Sequence, residues 1–322
     1  MKMLKRVTLM LAALAASAAA FAEWPDHPIT IVVPFTAGGS SDIVARTVQP
    51  KLTAALGQPI IVENKPGANG GLAASYVAKA KPDGYTILVG SIGTYAINPV
   101  LYKDLAYEPR RDFDLITVAV RTPNALVATP SFPPNNVKEL VEYCKRHPNE
   151  VSFASSGTGS SDHLTAALFW QKTGTTGIHV PYKGGSAAHT DIISGTSNVS
   201  FQNLGSITNH VRGGRMKLLA VTSDKRDPTF PNVPTMAEAG VPGLEVYSWQ
   251  AFAAPKGLPK DVYAKLQSAF AGALKDPDVQ KKFTEIGFDV VGNSPAEFAT
   301  FLNGELGRWK QVVDAGGIKQ SD

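Results

Sequence analysis

The chain has 322 residues, with 31 basic and 27 acidic side chains, 43% hydrophobic residues and one cysteine. Residues 1–22 hold three of the bases and no acid, so without them the formal charge falls from +4 to +1. A near-neutral body of roughly 300 residues lacks the basic stripe a nucleic-acid partner requires, and it has material for two cores rather than one.

Residues 1–22 read as a secretion signal. Lys2, Lys5 and Arg6 form a basic start, Val7 to Ala20 an apolar, alanine-rich core, and Ala20-Phe21-Ala22 a small-residue cleavage site before Glu23. The apolar run is too short to span a bilayer comfortably. The first residue after the cut is Glu23 and not cysteine, so the mature chain is expected to be exported to the periplasm and free of a lipid anchor. Cys144 stands alone and falls on the amphipathic pattern 137–144, which predicts a packed thiol and no internal disulfide.

Ile31-Val32-Val33 is a short β-branched run, hence a buried strand. Gly38 and Gly39 break it, and Ser40, Ser41 and Asp42 offer capping side chains to a helix starting near Ile43. Such a turn leaves backbone N–H groups unpaired at the positive end of a helix, a place that holds anions. Strand 59–64, a turn at 65–71, helix 72–80 and strand 85–89 complete a βαβαβ unit and predict a parallel sheet. Strands 113–120 and 125–129, separated by Arg121-Thr122-Pro123-Asn124, read as the crossing to a second lobe. There the rhythm repeats: helix 136–147, strand 151–155, helix 162–172, strand 178–182, helix 186–194, strand 198–202 and strand 216–222. Extended, aromatic residues 245–254 read as the return crossing. Helices 259–286 and 295–314, with strand 288–291 between them, close the chain.

The anion-loop device occurs twice. Residues 151–164 again run from a strand through Gly157 and Gly159 to Ser160, Ser161 and Asp162 at a helix start. Two copies in separate halves predict a cleft closed from both sides on one anion, with Gly38, Gly39, Ser40, Ser156, Gly157, Thr158 and Ser160 in contact with it. Asp42 and Asp162 would repel a carboxylate and are expected to be caps. Asp191 follows a third glycine turn, Lys183-Gly184-Gly185, and reads equally as a cap or as an acceptor facing the ligand.

An exported enzyme is the main competing class. The chain has no Gly-x-Ser-x-Gly elbow, no phosphate loop, no dinucleotide fingerprint and no histidine pair at metal-ligand spacing. No catalytic residue, cofactor or metal is expected. A sensory receptor presented to a membrane kinase would have the same cleft and a different partner.

The ordered motifs resemble one family. They are Pro34 to Asp42 with Arg46, Val62 to Ala68, Lys81 to Thr86, Asn98-Pro99 with Leu101-Tyr102, and Ser155-Ser156-Gly157 through His163-Leu164. His179 to Gly184, Asp191 with Gly195, Leu219 to Thr222, and Val233-Pro234-Thr235 with Glu238-Ala239-Gly240 follow. Together they are similar to the extracytoplasmic solute receptors of tripartite tricarboxylate transporters, the Bug receptors. The resemblance implies an α/β, two-lobed periplasmic-binding-protein (type II-like) fold, each lobe a mostly parallel sheet flanked by helices, with two hinge strands. The expected lobes are 23–122 with 252–322, and 123–251. It implies a monomer that binds a small organic acid anion and delivers it to a large and a small membrane subunit. In such relatives the loops matching 34–42 and 155–161 grip the ligand through backbone amides and waters, which adds Phe35, Thr36, Ala37 and Ser155 to the expected site. Three residues depart from the family pattern: Ala37 replaces a usual proline, Asp162 a frequent amide and His189 a common apolar residue. That last departure marks His189 as a donor facing the ligand, while Phe35, Phe201 and Trp249 are expected to line the cleft or hinge. One anion site per lobe suits a dicarboxylate, with any flat apolar middle held by aromatic side chains.

Overall fold

The computed structural model describes residues 24–316, so the expected signal segment and its cleavage site lie outside the described residues. The chain opens with β1 (Ile29–Val33), α1 (Ser40–Leu56), β2 (Ile60–Asn64), α2 (Gly71–Ala78) and β3 (Thr86–Ser91). β1 pairs in parallel with β2 on one side and β3 on the other. Short helices α3 (Asn98–Leu101) and α4 (Pro109–Asp112) lead to the long strand β4 (Phe113–Ala128). A second α/β run follows: α5 (Val137–Arg146), β5 (Ser152–Ser155), α6 (Ser161–Thr173), β6 (Ile178–Pro181), α7 (Gly185–Ser194), β7 (Val199–Asn203), α8 (Leu204–Arg212) and β8 (Lys217–Val221). The chain then returns through β9 (Tyr247–Pro255) and ends with α9 (Lys260–Lys275), α10 (Pro277–Glu285), β10 (Asp289–Val290) and α11 (Pro295–Gly316).

The strand order is β2-β1-β3-β9-β4-β7-β5-β6, with β8 and β10 also paired to β4. Two parallel cores, β2-β1-β3 and β7-β5-β6, are therefore joined by antiparallel β4 and β9. Both faces of each sheet are covered by helices, which explains why β1 is apolar along its length rather than alternating. In the first lobe α1 turns Val44, Val48 and Leu52 onto one face, while Tyr95, Trp249, Phe298 and Trp309 fill the other. In the second, Phe153, Phe169 and Phe201 pack with Leu140 and Cys144 on one face, and Ala188, Ile192, Leu204 and Ile207 cover the other. Burial pushes the Cys144 thiol up to about 11, so it is the packed thiol the sequence predicts.

Three expectations need correction. The split at 121–124 does not occur: β4 is one 16-residue strand shared by both sheets. Pro123 is the last β4 residue paired with β9, and Asn124 is the first paired with β7. The proline's missing N–H therefore falls where the ladder changes partner and costs least. The expected helix 259–286 is two helices, because Pro277 ends the first; the Asp276 side chain caps the second by accepting from the N–H groups of Asp278 and Val279. Residues 203–215, unassigned from sequence, hold α8.

Candidate ligand-binding cleft

β1 ends at Val33, and the loop after it turns at Gly38, whose φ of +82° favours glycine. Gly39 occupies the N-cap of α1 without a side-chain cap. The expected capping by Ser40, Ser41 and Asp42 is not what the structure shows. The Ser40 hydroxyl donates to Asn203 Oδ1 at 2.9 Å and that of Ser41 to Gln250 Oε1 at 2.6 Å. Asp42 instead braces the loop: it accepts from Gly38 N–H at 2.9 Å, from Arg46 at 3.0 Å and from Asn64 at 3.0 Å. Burial opposes its ionisation, but these donors outweigh burial and hold the carboxyl below the usual aspartate range.

The second loop leaves β5 at Ser155 and turns at Gly157 and Gly159. Ser160 caps α6 by accepting from His163 N–H at 3.3 Å. Asp162 accepts from the Ser156 N–H at 2.6 Å, the Ser156 hydroxyl at 2.7 Å and Gln202 Nε2 at 3.2 Å. Each loop is thus tied down by an aspartate in the first turn of its helix. Asp162 is fully buried, and burial raises its carboxyl despite the donors around it.

The two loops meet. Thr36 Oγ1 and Ser186 Oγ lie 2.6 Å apart, Ser40 bonds Asn203, and the Tyr102 hydroxyl donates to Thr158 O at 3.1 Å. Between them is a cleft cavity of about 410 Å³, part of it open to solvent. The N-terminal ends of α1 (Gly39, Ser40, Ser41), α6 (Ser160, Ser161), α7 (Gly185) and α8 (Asn203, Ser206) all contribute to its wall. Four positive helix ends therefore face one small space. Among the described residues no lysine, arginine or histidine lines it; Lys183 stands at an adjoining opening shared by Phe35, Asn69, Tyr102, Gly157 and Thr158. Asp162 is the one carboxylate in the wall, already accepting from Ser156 and Gln202; among the described residues the rest is hydroxyl, amide and glycine, with Phe35 the one aromatic side chain.

Of the expected site residues, Phe35, Gly39, Ser40, Ser156 and Ser160 line the cavity, and Gly157 and Thr158 line the opening. Thr36 and Gly38 lie at the seam against Ser186. Ser155 sits behind the loop, bonded to His179 Nε2 at 2.7 Å. The remaining four are placed elsewhere. Ala37 is exposed and lines neither space. His189 is buried behind the wall, where its Nε2 lies 2.9 Å from Gln202 Oε1. Gln202 spends its amide N–H groups on Asp162 and Ser200, so its oxygen accepts and His189 Nε2 donates. Asp191 accepts from the Tyr182 hydroxyl at 2.5 Å, away from the cavity. Phe201 is fully buried in the second core, tilted against Phe169. Trp249 lies in crossing strand β9 but packs inward, donating to Glu305 at 2.8 Å. Burial drives His163 down to about 3 and His179 and His189 to about 4, so all three are neutral supports near pH 7.

Sequence reasoning missed Asn69, Gln202 and Asn203 as lining residues. Asn203 carries a weak signal, an asparagine just before a helix; Gln202 carries none, being one polar residue in a strand.

Residues 44–318 match the model of the "Tripartite tricarboxylate transporter family receptor". The chain is similar to the periplasmic binding protein BugD, at 36% identity and a TM-score of 0.89, covering 92% of this chain and 99% of that one. It is also similar to Rpa4515 of R. palustris, solved with adipate (37% identity, TM-score 0.89, 92% and 99% covered). MatC of Rhodopseudomonas palustris, solved with bound malate, matches at 34% identity and a TM-score of 0.86, over 90% of this chain and all of that one.

Proposed function

This chain belongs to the tripartite tricarboxylate transporter receptor family and has its two-lobed periplasmic-binding-protein fold; from that premise we propose that it captures a small dicarboxylate between its lobes. In this reading lobe 1 is 23–122 with 252–322 and lobe 2 is 123–251. Residues 1–22 direct export to the periplasm and are removed after Ala22. The monomeric receptor then hands its solute to the large and small membrane subunits of a tripartite tricarboxylate-type transporter. It performs no chemistry on the solute and needs no cofactor.

One observation carries the proposal: helix ends from both lobes turn toward one cavity with no basic side chain in its wall among the described residues. An anion there is held by backbone N–H groups, hydroxyls and helix dipoles rather than by an ion pair. Each charged hydrogen bond contributes about 1.5–3 kcal/mol and each helix end about 0.3–1 kcal/mol. Several of them, less the cost of ordering, suit binding in roughly the micromolar range. The small cavity suits a short, slender acid, and Phe35 alone offers it a flat apolar surface. The adipate and malate in two similar receptors support the carboxylate class.

Titration calorimetry against diacids and their monoacid counterparts, such as succinate against butyrate and adipate against hexanoate, tests this. Diacids are expected to bind at least about tenfold tighter, the worth of one charged hydrogen bond. Equal affinity for the two sets would refute the two-ended site, and silence toward every acid would refute the carboxylate reading.

A further inference from the structure

Asn69 is an asparagine held at φ +47°, ψ +41°, inside the short 3₁₀ turn Ala68–Gly70. That left-handed conformation is uncommon outside glycine, though asparagine is among the residues that adopt it most readily, and its surroundings can fix the side chain in one orientation. Here they do. The Tyr107 hydroxyl donates to Thr94 O at 2.6 Å, so it can only accept from Asn98 Nδ2, at 3.2 Å. Asn98 Nδ2 also donates to Asn69 O at 3.0 Å. The orientation of the Asn98 amide is thereby fixed with its oxygen toward Asn69, and Asn69 Nδ2 donates to that oxygen at 2.9 Å. Asn69 Oδ1 is then fixed as an acceptor as well.

This acceptor is buried and has no partner among the described residues. Asn69 is only 7% exposed, yet it lines both the cavity and its adjoining opening. Gly93 leaves space beside it, since a Cβ there would stand 3.1 Å from Oδ1. The second lobe's loop is close too: a Cβ on Gly157 would lie 3.9 Å from the same oxygen. A carboxylate can only accept hydrogen bonds, so it cannot satisfy Oδ1. A hydroxyl on the carbon chain between two carboxylates can.

We propose that Asn69 is a specificity-determining residue whose side-chain oxygen accepts a hydrogen bond from a hydroxyl of the bound solute, making hydroxylated dicarboxylates the preferred class. The proposal rests on the carboxylate reading above and narrows it. A solute that lacks the hydroxyl enters the same anion site but leaves the Asn69 oxygen unpaired on closure, and a site built for a donor rejects an analogue lacking it.

The test is calorimetry with matched pairs at three lengths: malate and succinate, 2-hydroxyglutarate and glutarate, 2-hydroxyadipate and adipate. The wild-type chain is expected to favour the hydroxy acid of its best-fitting pair by about tenfold, the worth of one hydrogen bond to a buried acceptor. In Asn69→Gly, where the left-handed backbone is kept, that preference should shrink to about twofold or less, whatever the variant's affinity for the plain diacid. A wild-type preference below twofold overturns the proposal without recourse to any variant, and so does an undiminished preference in a folded Asn69→Gly chain. Either result leaves the carboxylate reading intact if the plain diacids bind. Failure of all six acids to bind the wild type overturns both.

Discussion

At the scale of single residues, the wall of the cleft depends on a side chain behind it, His189. His189 holds Gln202 by its oxygen, Gln202 holds Asp162, and Asp162 holds the Ser156 N–H and hydroxyl. The Nε2–H of His189 can donate in either protonation state, but burial disfavours the charged ring and lowers its pKa from the ordinary 6.5 to about 4. The unfolded chain therefore binds a proton that the folded chain refuses. That contribution to stability is fully present above pH 6.5 and is lost as pH falls toward about 4. Within this window His189 alone should steepen the loss by about 1.4 kcal/mol per pH unit. Asp162 works the other way, since its raised carboxyl favours the folded state at low pH. Comparing His189→Gln with wild type isolates the histidine. Melting curves from pH 7.5 to 5 should fall less steeply for the variant, which keeps a neutral donor to Gln202; parallel curves would show that His189 does not titrate this way.

The same scale shows how far sequence reaches into a site. Gly38, Gly39, Ser40, Ser156 and Ser160 were legible because a strand, a glycine turn and hydroxyls at a helix start form a local pattern with a local cause. Gln202, Asn203 and Asn69 were not, because their place in the wall comes from how distant segments pack. His189 and Phe201 fail for the converse reason. A polar or aromatic residue near a site in sequence can turn its side chain into the core, and nothing local to either residue records which way it points.

At the scale of elements, the glycine turn before α7 sets how closely the two loops approach. Gly184 has φ +144°, and a Cβ there would lie 2.5 Å from Thr36 Oγ1 and 2.9 Å from Thr36 N, both on the opposite lobe. Gly184→Ala should therefore obstruct closure. Backbone strain should cost about 1–3 kcal/mol of stability in the absence of solute. The affinity for the best diacid should fall by at least about tenfold, because the bound state is the closed one. Calorimetry beside melting curves checks this; a variant that keeps wild-type affinity would show that the contact is not part of the bound state. Most elements were readable because apolar periodicity and Gly/Pro punctuation agree, as in α1 with Val44, Val48 and Leu52. The reading broke where one residue answers to two demands. Pro123 looks like a strand breaker and instead marks the point where β4 changes sheets. Gly205 stands in the first turn of α8, where a Cβ would come within 2.4 Å of Phe288, so the glycine lets α8 pack closely.

At the scale of the whole molecule, β4 and β9 are the extended segments on which the lobes are hung, and their antiparallel pairing joins two parallel sheets. Capture by closure requires the Thr36 and Ser186 side chains, 2.6 Å apart across the seam, to separate and rejoin as solute leaves and enters. The natural Cys144 is fully buried, so a cysteine pair introduced at the seam is a clean reporter. The most direct test is the rate of disulfide formation in Thr36→Cys/Ser186→Cys, measured with and without the tightest-binding diacid. The rate is expected to rise severalfold when the diacid is present, as the closed population grows. An unchanged or slower rate at saturating diacid would contradict closure of these two loops on the solute.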